Sequence, residues 1–200
     1  MGGVSDDLRQ GRNCDVGAQP LSTAQYLGMR SACIQITNHN EPVMAKIPKK
    51  KRLKSFADEL WALAVKRQWK GRCAVCGRTA SLHSHHLIPR QHQATRYTLK
   101  NGICICAGCH LFSKDLSPHQ NAAGWLEWLA QRHPCICKWY HENLRPKFDG
   151  TTNEGYYVGV ILRLREYVQP HEFQEIVGVR FAAYLDELSE QESEQENEHE

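Results

Sequence analysis

The sequence has no long apolar stretch; its longest unbroken apolar run is Leu60–Val65. A helix that spans a bilayer needs about 20 apolar residues, and the N-terminal residues lack the apolar centre of a secretory leader. A cytoplasmic location is therefore the default expectation. Acidic residues are scarce over 46–100, where fourteen Lys or Arg stand against Asp58 and Glu59. Basic residues are absent from 181–200, which hold eight Asp or Glu. The formal net charge of +3 conceals this division. The basic block implies a polyanionic partner, and the acidic end reads as a solvated tail. An even cysteine count is also lacking: nine cysteines cannot close a complete disulfide framework. No internal repeat is present.

Two hundred residues accommodate one ordinary domain with tails, or two small domains. Residues 1–43 show neither helical nor alternating periodicity, and 1–45 are expected to be a disordered extension. Met44 opens Met-Ala-Lys-Ile-Pro-Lys-Lys-Lys-Arg, which resembles a natural start, so translation is expected to begin there. Intact-mass measurement of the native protein checks this. Six of the nine residues Lys46–Lys54 are basic, and 46–54 are read as a flexible arm. Lys49, Lys50, Lys51 and Arg52 of that arm would touch phosphates, adding affinity without sequence choice.

Ser55 and Asp58 make a capping-box-like start, and Phe56, Leu60, Leu63 and Ala64 recur at helical spacing. An amphipathic helix to about Lys70 follows, stopped by Gly71. Asn121 can cap a helix running to Arg132 with Trp125, Trp128 and Leu129 on one side, and Pro134 lies beyond its end. Trp125 and Trp128 are assigned to core packing rather than to stacking on bases. Short helical patterns cover 136–144 and 156–168. A longer one covers 171–188, with the stripe Phe173, Val177, Phe181, Tyr184 and Leu188. Residues 121–189 thus read as a helical region, and 190–200 as a disordered acidic tail.

Two C-x-x-C pairs, Cys73–Cys76 and Cys106–Cys109, stand about thirty residues apart. Two residues between cysteines let both thiolates reach one ion from a tight turn. Two such turns supply the four soft ligands that tetrahedral zinc prefers. Cys104 alternates with Cys106 and is expected to pack inside. Cys135 and Cys137 have the wrong spacing for a knuckle and are expected to be ordinary buried thiols. Cys14 and Cys33 receive no role.

Between the pairs lies Leu82-His83-Ser84-His85-His86-Leu87-Ile88-Pro89, followed by Asn101 and by His110 directly after Cys109. From Cys73 to His110 this arrangement resembles the zinc-knuckle branch of the HNH (ββα-metal) endonuclease superfamily. In that branch a His-His-hydrophobic-hydrophobic-Pro strand is followed by an Asn and a C-x-x-C-His. The resemblance implies that His85 and His110 hold a catalytic divalent metal and that His86 is the general base. It implies that Asn101 braces the loop and orients that base. The chemistry needs the same residue types, because imidazole titrates near neutrality and phosphodiester hydrolysis needs both a base and a cation. Neighbouring residues on a strand point to opposite faces, so His85 and His86 can serve the metal and the water separately. Mg²⁺ or Mn²⁺ is expected there, with Ni²⁺ or Zn²⁺ as alternatives.

The pattern is broken at Lys114, where many family members carry a third ligand four residues after the position of His110. Two protein ligands are the favoured reading; Asp115 or His119 could be borrowed from the following loop. Lys114 would then meet the scissile phosphate, together with Arg90, Arg96 and Lys100 from the loop between the strands. His83 is assigned a structural or substrate-facing role rather than ligation.

The sequence therefore predicts an α+β protein. A zinc-stapled ββα core occupies 55–120, between an N-terminal helix and a C-terminal helical region. The activity implied by the resemblance is metal-dependent cleavage of DNA, of a phage type acting in recombination, packaging or homing. A homodimer is compatible with the helices after residue 120. The competing reading is a non-catalytic zinc module that binds nucleic acid. It would need neither the His-His pair nor His110.

Overall fold

In a computed structural model the described residues are 48–145, 147, 148 and 150–197, with side chains described to Leu188. The expectations for 1–45, including Met44, Cys14 and Cys33, fall outside them, as do Lys46 and 198–200. The described chain forms two units, 62–148 and 48–61 with 150–197. Helix α1, Lys50–Gln68, contributes its first part to the latter and its last turns to the former.

In the first unit, α1 ends where Lys70 and Gly71 adopt positive φ (53° and 61°) and Gly71 N–H bonds back to Lys66 O. A left-handed residue closes a helix in this way. Strand β1 (Leu82–His86) pairs antiparallel with β2 (Gly102–Cys106), with Leu82 opposite Cys106 and His86 opposite Gly102. Between them run the short helix α2 (Gln93–Arg96) and a 3-10 turn, Leu99–Asn101. A π-helical turn, Gly108–Phe112, follows β2. Helix α3 (Ala122–Arg132) starts at Asn121, whose side chain accepts the Gly124 N–H as expected. Helix α4 (Pro134–Glu142) begins at Pro134, whose missing N–H costs nothing in a first turn. The core joins Ile103, Ile105, Cys73 and Cys106 to Trp125, Leu129 and Cys137. Trp125 and Trp128 stack in it, with ring centroids 5.0 Å apart, as the core reading required. Cys104 and Cys137 are buried free thiols as expected, whereas Cys135 is exposed and disulfide-bonded, which corrects its reading as a buried thiol.

In the second unit, α5 (Glu154–Arg165) is capped by the Asn153 side chain. Helices α6 (Pro170–Val177) and α7 (Val179–Asn197) replace the single helix expected over 171–188. They part at Gly178, whose φ of +86° no helix interior allows. Phe173, Val177 and Phe181 of the expected stripe are buried, and Phe181 stacks on Phe56. Arg165 forms an ion pair with Asp186. The tail expected to lack order from residue 190 continues α7 to Asn197. At the other end, helix begins at Lys50 rather than at Ser55, so most of the basic arm is helical. Leu53, which is fully buried, gives those turns an apolar anchor. Among the described residues, no helix is long and apolar enough to cross a membrane.

Candidate active site

The four knuckle cysteines, Cys73, Cys76, Cys106 and Cys109, bring their sulfurs within 4.8 Å of one another. The first knuckle turns on Gly77, at φ +73°, with Gly77 N–H bonded to Cys73 O. Ala74 N–H bonds to Cys104 O, which ties that knuckle to β2, where the second one starts. Burial works to raise the Cys106 thiol, but the Cys109 N–H and the neighbouring thiols outweigh it and bring it down to about 7. Burial pushes Cys76 and Cys109 up instead. Four sulfurs this close cannot all ionise beside one another without a cation, and a tetrahedral soft-metal site is the chemistry they fit. Cys104 stands apart, held at about 11 by burial and by Cys73.

Strand alternation separates the histidines of β1. Paired residues of an antiparallel ladder share a face, so His83 and His85 lie with Ile105 and Ile103, while Ser84 and His86 lie on the other side. On the first face His85 Nδ1 lies 3.0 Å from His110 Nε2. His119 Nε2 is also 3.0 Å from His110 Nε2. One ring nitrogen cannot serve two such partners well as a hydrogen bond. Metal–nitrogen bonds of about 2.1 Å, however, put neighbouring ligand nitrogens roughly 3 Å apart. The three imidazoles therefore fit a divalent metal, with all three ligand atoms within 4.8 Å. His119, the alternative third ligand from the following loop, stands with His85 and His110 in that group. Ser117 explains its place: the buried hydroxyl donates to His110 O at 2.6 Å and accepts the His119 and Gln120 N–H groups.

On the second face, His86 Nε2–H donates to Arg96 O at 3.0 Å, which leaves the ring lone pair on Nδ1. Asn101 is fully buried and staples the loop that carries this carbonyl. Its Oδ1 accepts Ile88 N–H, and its Nδ2 donates to Ile88 O and Thr95 O. Arg96, expected among the phosphate contacts, is 5% exposed and donates to Arg90 O. It braces the loop, and the assignment to phosphate is withdrawn. Arg90 and Lys114 are exposed and Lys100 is half-buried. Lys49, Lys50, Lys51 and Arg52 are exposed in the other unit.

Residues 73–114 match the family model described as HNH endonuclease. These residues are an HNH domain. The match spans both cysteine pairs, His85, His86, Asn101, His110 and Lys114, and stops before His119. Comparison of the whole chain with curated proteins and with solved structures finds no match.

Burial, then the neighbouring His110, His119 and His86, lower the His85 imidazole of the HNH domain to about 3. Burial, then His119 and His83, lower His110 to about 4. Both are neutral at pH 7 and ready to ligate. The unfolded chain takes up these protons below about 6.5, whereas the folded domain does not until pH 3–4. Stability is thus full above 6.5 and falls as pH drops from there toward 4. Urea midpoints of protein holding one zinc per chain should decline from pH 7 to pH 5, and His85→Leu should flatten that decline. Equal slopes in the two proteins would remove the effect.

Proposed function

We propose that the chain is a metal-dependent DNA endonuclease. The observation that carries this reading is the division of labour on β1. Three ring nitrogens converge on one face, and on the other an imidazole is oriented by a backbone carbonyl. His85, His110 and His119 would hold a divalent cation, which would supply positive charge to the phosphate and to the departing oxygen. His86 Nδ1 takes a proton from the attacking water. The water oxygen bonds to phosphorus, the P–O3′ bond breaks, and the departing 3′ oxygen takes a proton from solvent water to become a hydroxyl. Asn101 keeps His86 aligned through the loop that carries Arg96 O. The cysteine cluster holds structural zinc. Arg90, Lys100 and Lys114, with Lys49, Lys50, Lys51 and Arg52, contact phosphates.

An all-nitrogen set of ligands suits Ni²⁺ or Zn²⁺ best and Mg²⁺, which prefers oxygen, least, with Mn²⁺ between them. The phage-type roles implied by the sequence pattern (recombination, packaging, homing) differ in substrate, so supercoiled, nicked and branched DNA belong in one assay. Wild-type protein should nick supercoiled plasmid with Mn²⁺, and His110→Ala should not, each with one zinc per chain. The nuclease reading fails if wild type binds these DNAs with zinc in place yet cuts none of them with any of the four metals. A non-catalytic zinc module would then account for the protein.

A further inference from the structure

His110 is gripped at both ring nitrogens. Its Nε2 faces His85 and His119, and its Nδ1 lies 2.9 Å from His83 Nδ1. The His83 and His110 rings meet edge to face, with centroids 5.2 Å apart and an interplanar angle of 85°. His83 is half-buried and shares its face of β1 with His85. The lone pairs of one imidazole diverge widely. A group bonded at Nδ1 therefore cannot reach an ion held at Nε2, and His83 is outside the three-histidine group.

A neutral imidazole carries one proton, and the hydrogen bond made by one nitrogen decides which nitrogen remains to bind metal. Left alone in water, neutral histidine prefers the proton on Nε2, the nitrogen that His110 turns toward its fellow ligands. We infer that His83 is the positioning residue of His110. Its Nδ1 accepts the His110 Nδ1–H, holding His110 in the tautomer whose Nε2 lone pair faces His85 and His119. His83 itself then carries its proton on Nε2. Because the partner sits on the same strand as His85, one element orders two of the three ligands. This inference rests on the reading of the three histidines as a divalent-metal site.

The test titrates Mn²⁺ into full-length protein holding one zinc per chain, by calorimetry, with thermal unfolding to confirm the fold. His83→Phe removes the acceptor and should weaken Mn²⁺ binding about 10- to 100-fold, as losing a ligand's outer partner does. His83→Gln, whose amide oxygen can accept the same proton, should bind close to wild type. Long-range proton–nitrogen NMR of wild-type protein without Mn²⁺ should place the His110 proton on Nδ1. A His110 proton on Nε2, wild-type Mn²⁺ affinity in a folded His83→Phe, or equal losses in folded Gln and Phe variants would each overturn the inference. If wild type takes up no more Mn²⁺ than His85→Ala, the metal-site reading fails, and the inference with it.

Discussion

Chelating the zinc proposed for the four-cysteine cluster should abolish cooperative unfolding of residues 62–148. The sheet there is a two-stranded hairpin, an arrangement that is marginal in water by itself. Cys73 and Cys106 belong to its core and also to the cluster, so a released ion leaves buried thiols where the packing converges. Structural zinc contributes about 10–16 kcal/mol in small domains, which matches or exceeds the roughly 5–15 kcal/mol by which whole domains are stable. The same loss is expected of Cys106→Ser. Zinc uptake should release protons at neutral pH, because burial holds Cys76 and Cys109 in the thiol form. Near-ultraviolet circular dichroism reads the outcome through Trp69, Trp125 and Trp128, which lie in or against that core. A chelated protein, shown free of zinc, that melts with an unchanged midpoint would remove zinc from the folding of this unit. Chelator inhibition of cleavage would not distinguish the two proposed metal sites, which is why zinc content has to be measured beside activity.

His86→Ala should cut turnover by about 10²–10⁴-fold, the usual contribution of a positioned general base. That is roughly 3–5 kcal/mol of barrier. Affinity for Mn²⁺ should stay near wild type, because His86 is outside the ligand group and its Nε2–H is bonded to Arg96 O. The pairing of these two measurements is what identifies the role. Rapid single-turnover cleavage and a Mn²⁺ titration on the same preparation check it. Retention of more than about a tenth of the rate would exclude His86 as the base, given the usual size of that contribution. A parallel loss of metal binding would instead make it a ligand.

Much of the domain was legible in the chain because its signals are local. A C-x-x-C turn sets the distance between two sulfurs within four residues, wherever the rest of the chain goes. The Asn121 cap, the Gly71 stop and the alternation of His85 and His86 across β1 likewise depend on neighbouring backbone geometry. Asn101 was legible only through the family resemblance, and its side chain bonds to Ile88 and Thr95 across the loop between the strands. The break of the last helical pattern was also written locally, as Gly178, but the apolar stripe on both sides of it reads as continuous.

Other features depend on where separate segments meet. A polar loop residue such as Arg96 reads as a phosphate contact until the fold buries it against the Arg90 carbonyl. Leu53 draws the basic stretch into α1 because it finds a buried place, which no local signal before Ser55 announces. His119 lies nine residues beyond His110, too far for any helical spacing to pair them. The Ser117 hydroxyl, bonded to the His110 carbonyl and to the His119 N–H, folds the intervening loop back. The sequence by itself determined the two C-x-x-C turns and the alternation of His85 and His86, because each needs only short-range backbone geometry, while the role of Asn101 came with the family resemblance. Only the tertiary structure decided which imidazoles converge, because a ligand set is a coincidence in space, and here His83, His85, His110 and His119 meet through a strand, a π-turn and a loop whose spacing carries no fixed period.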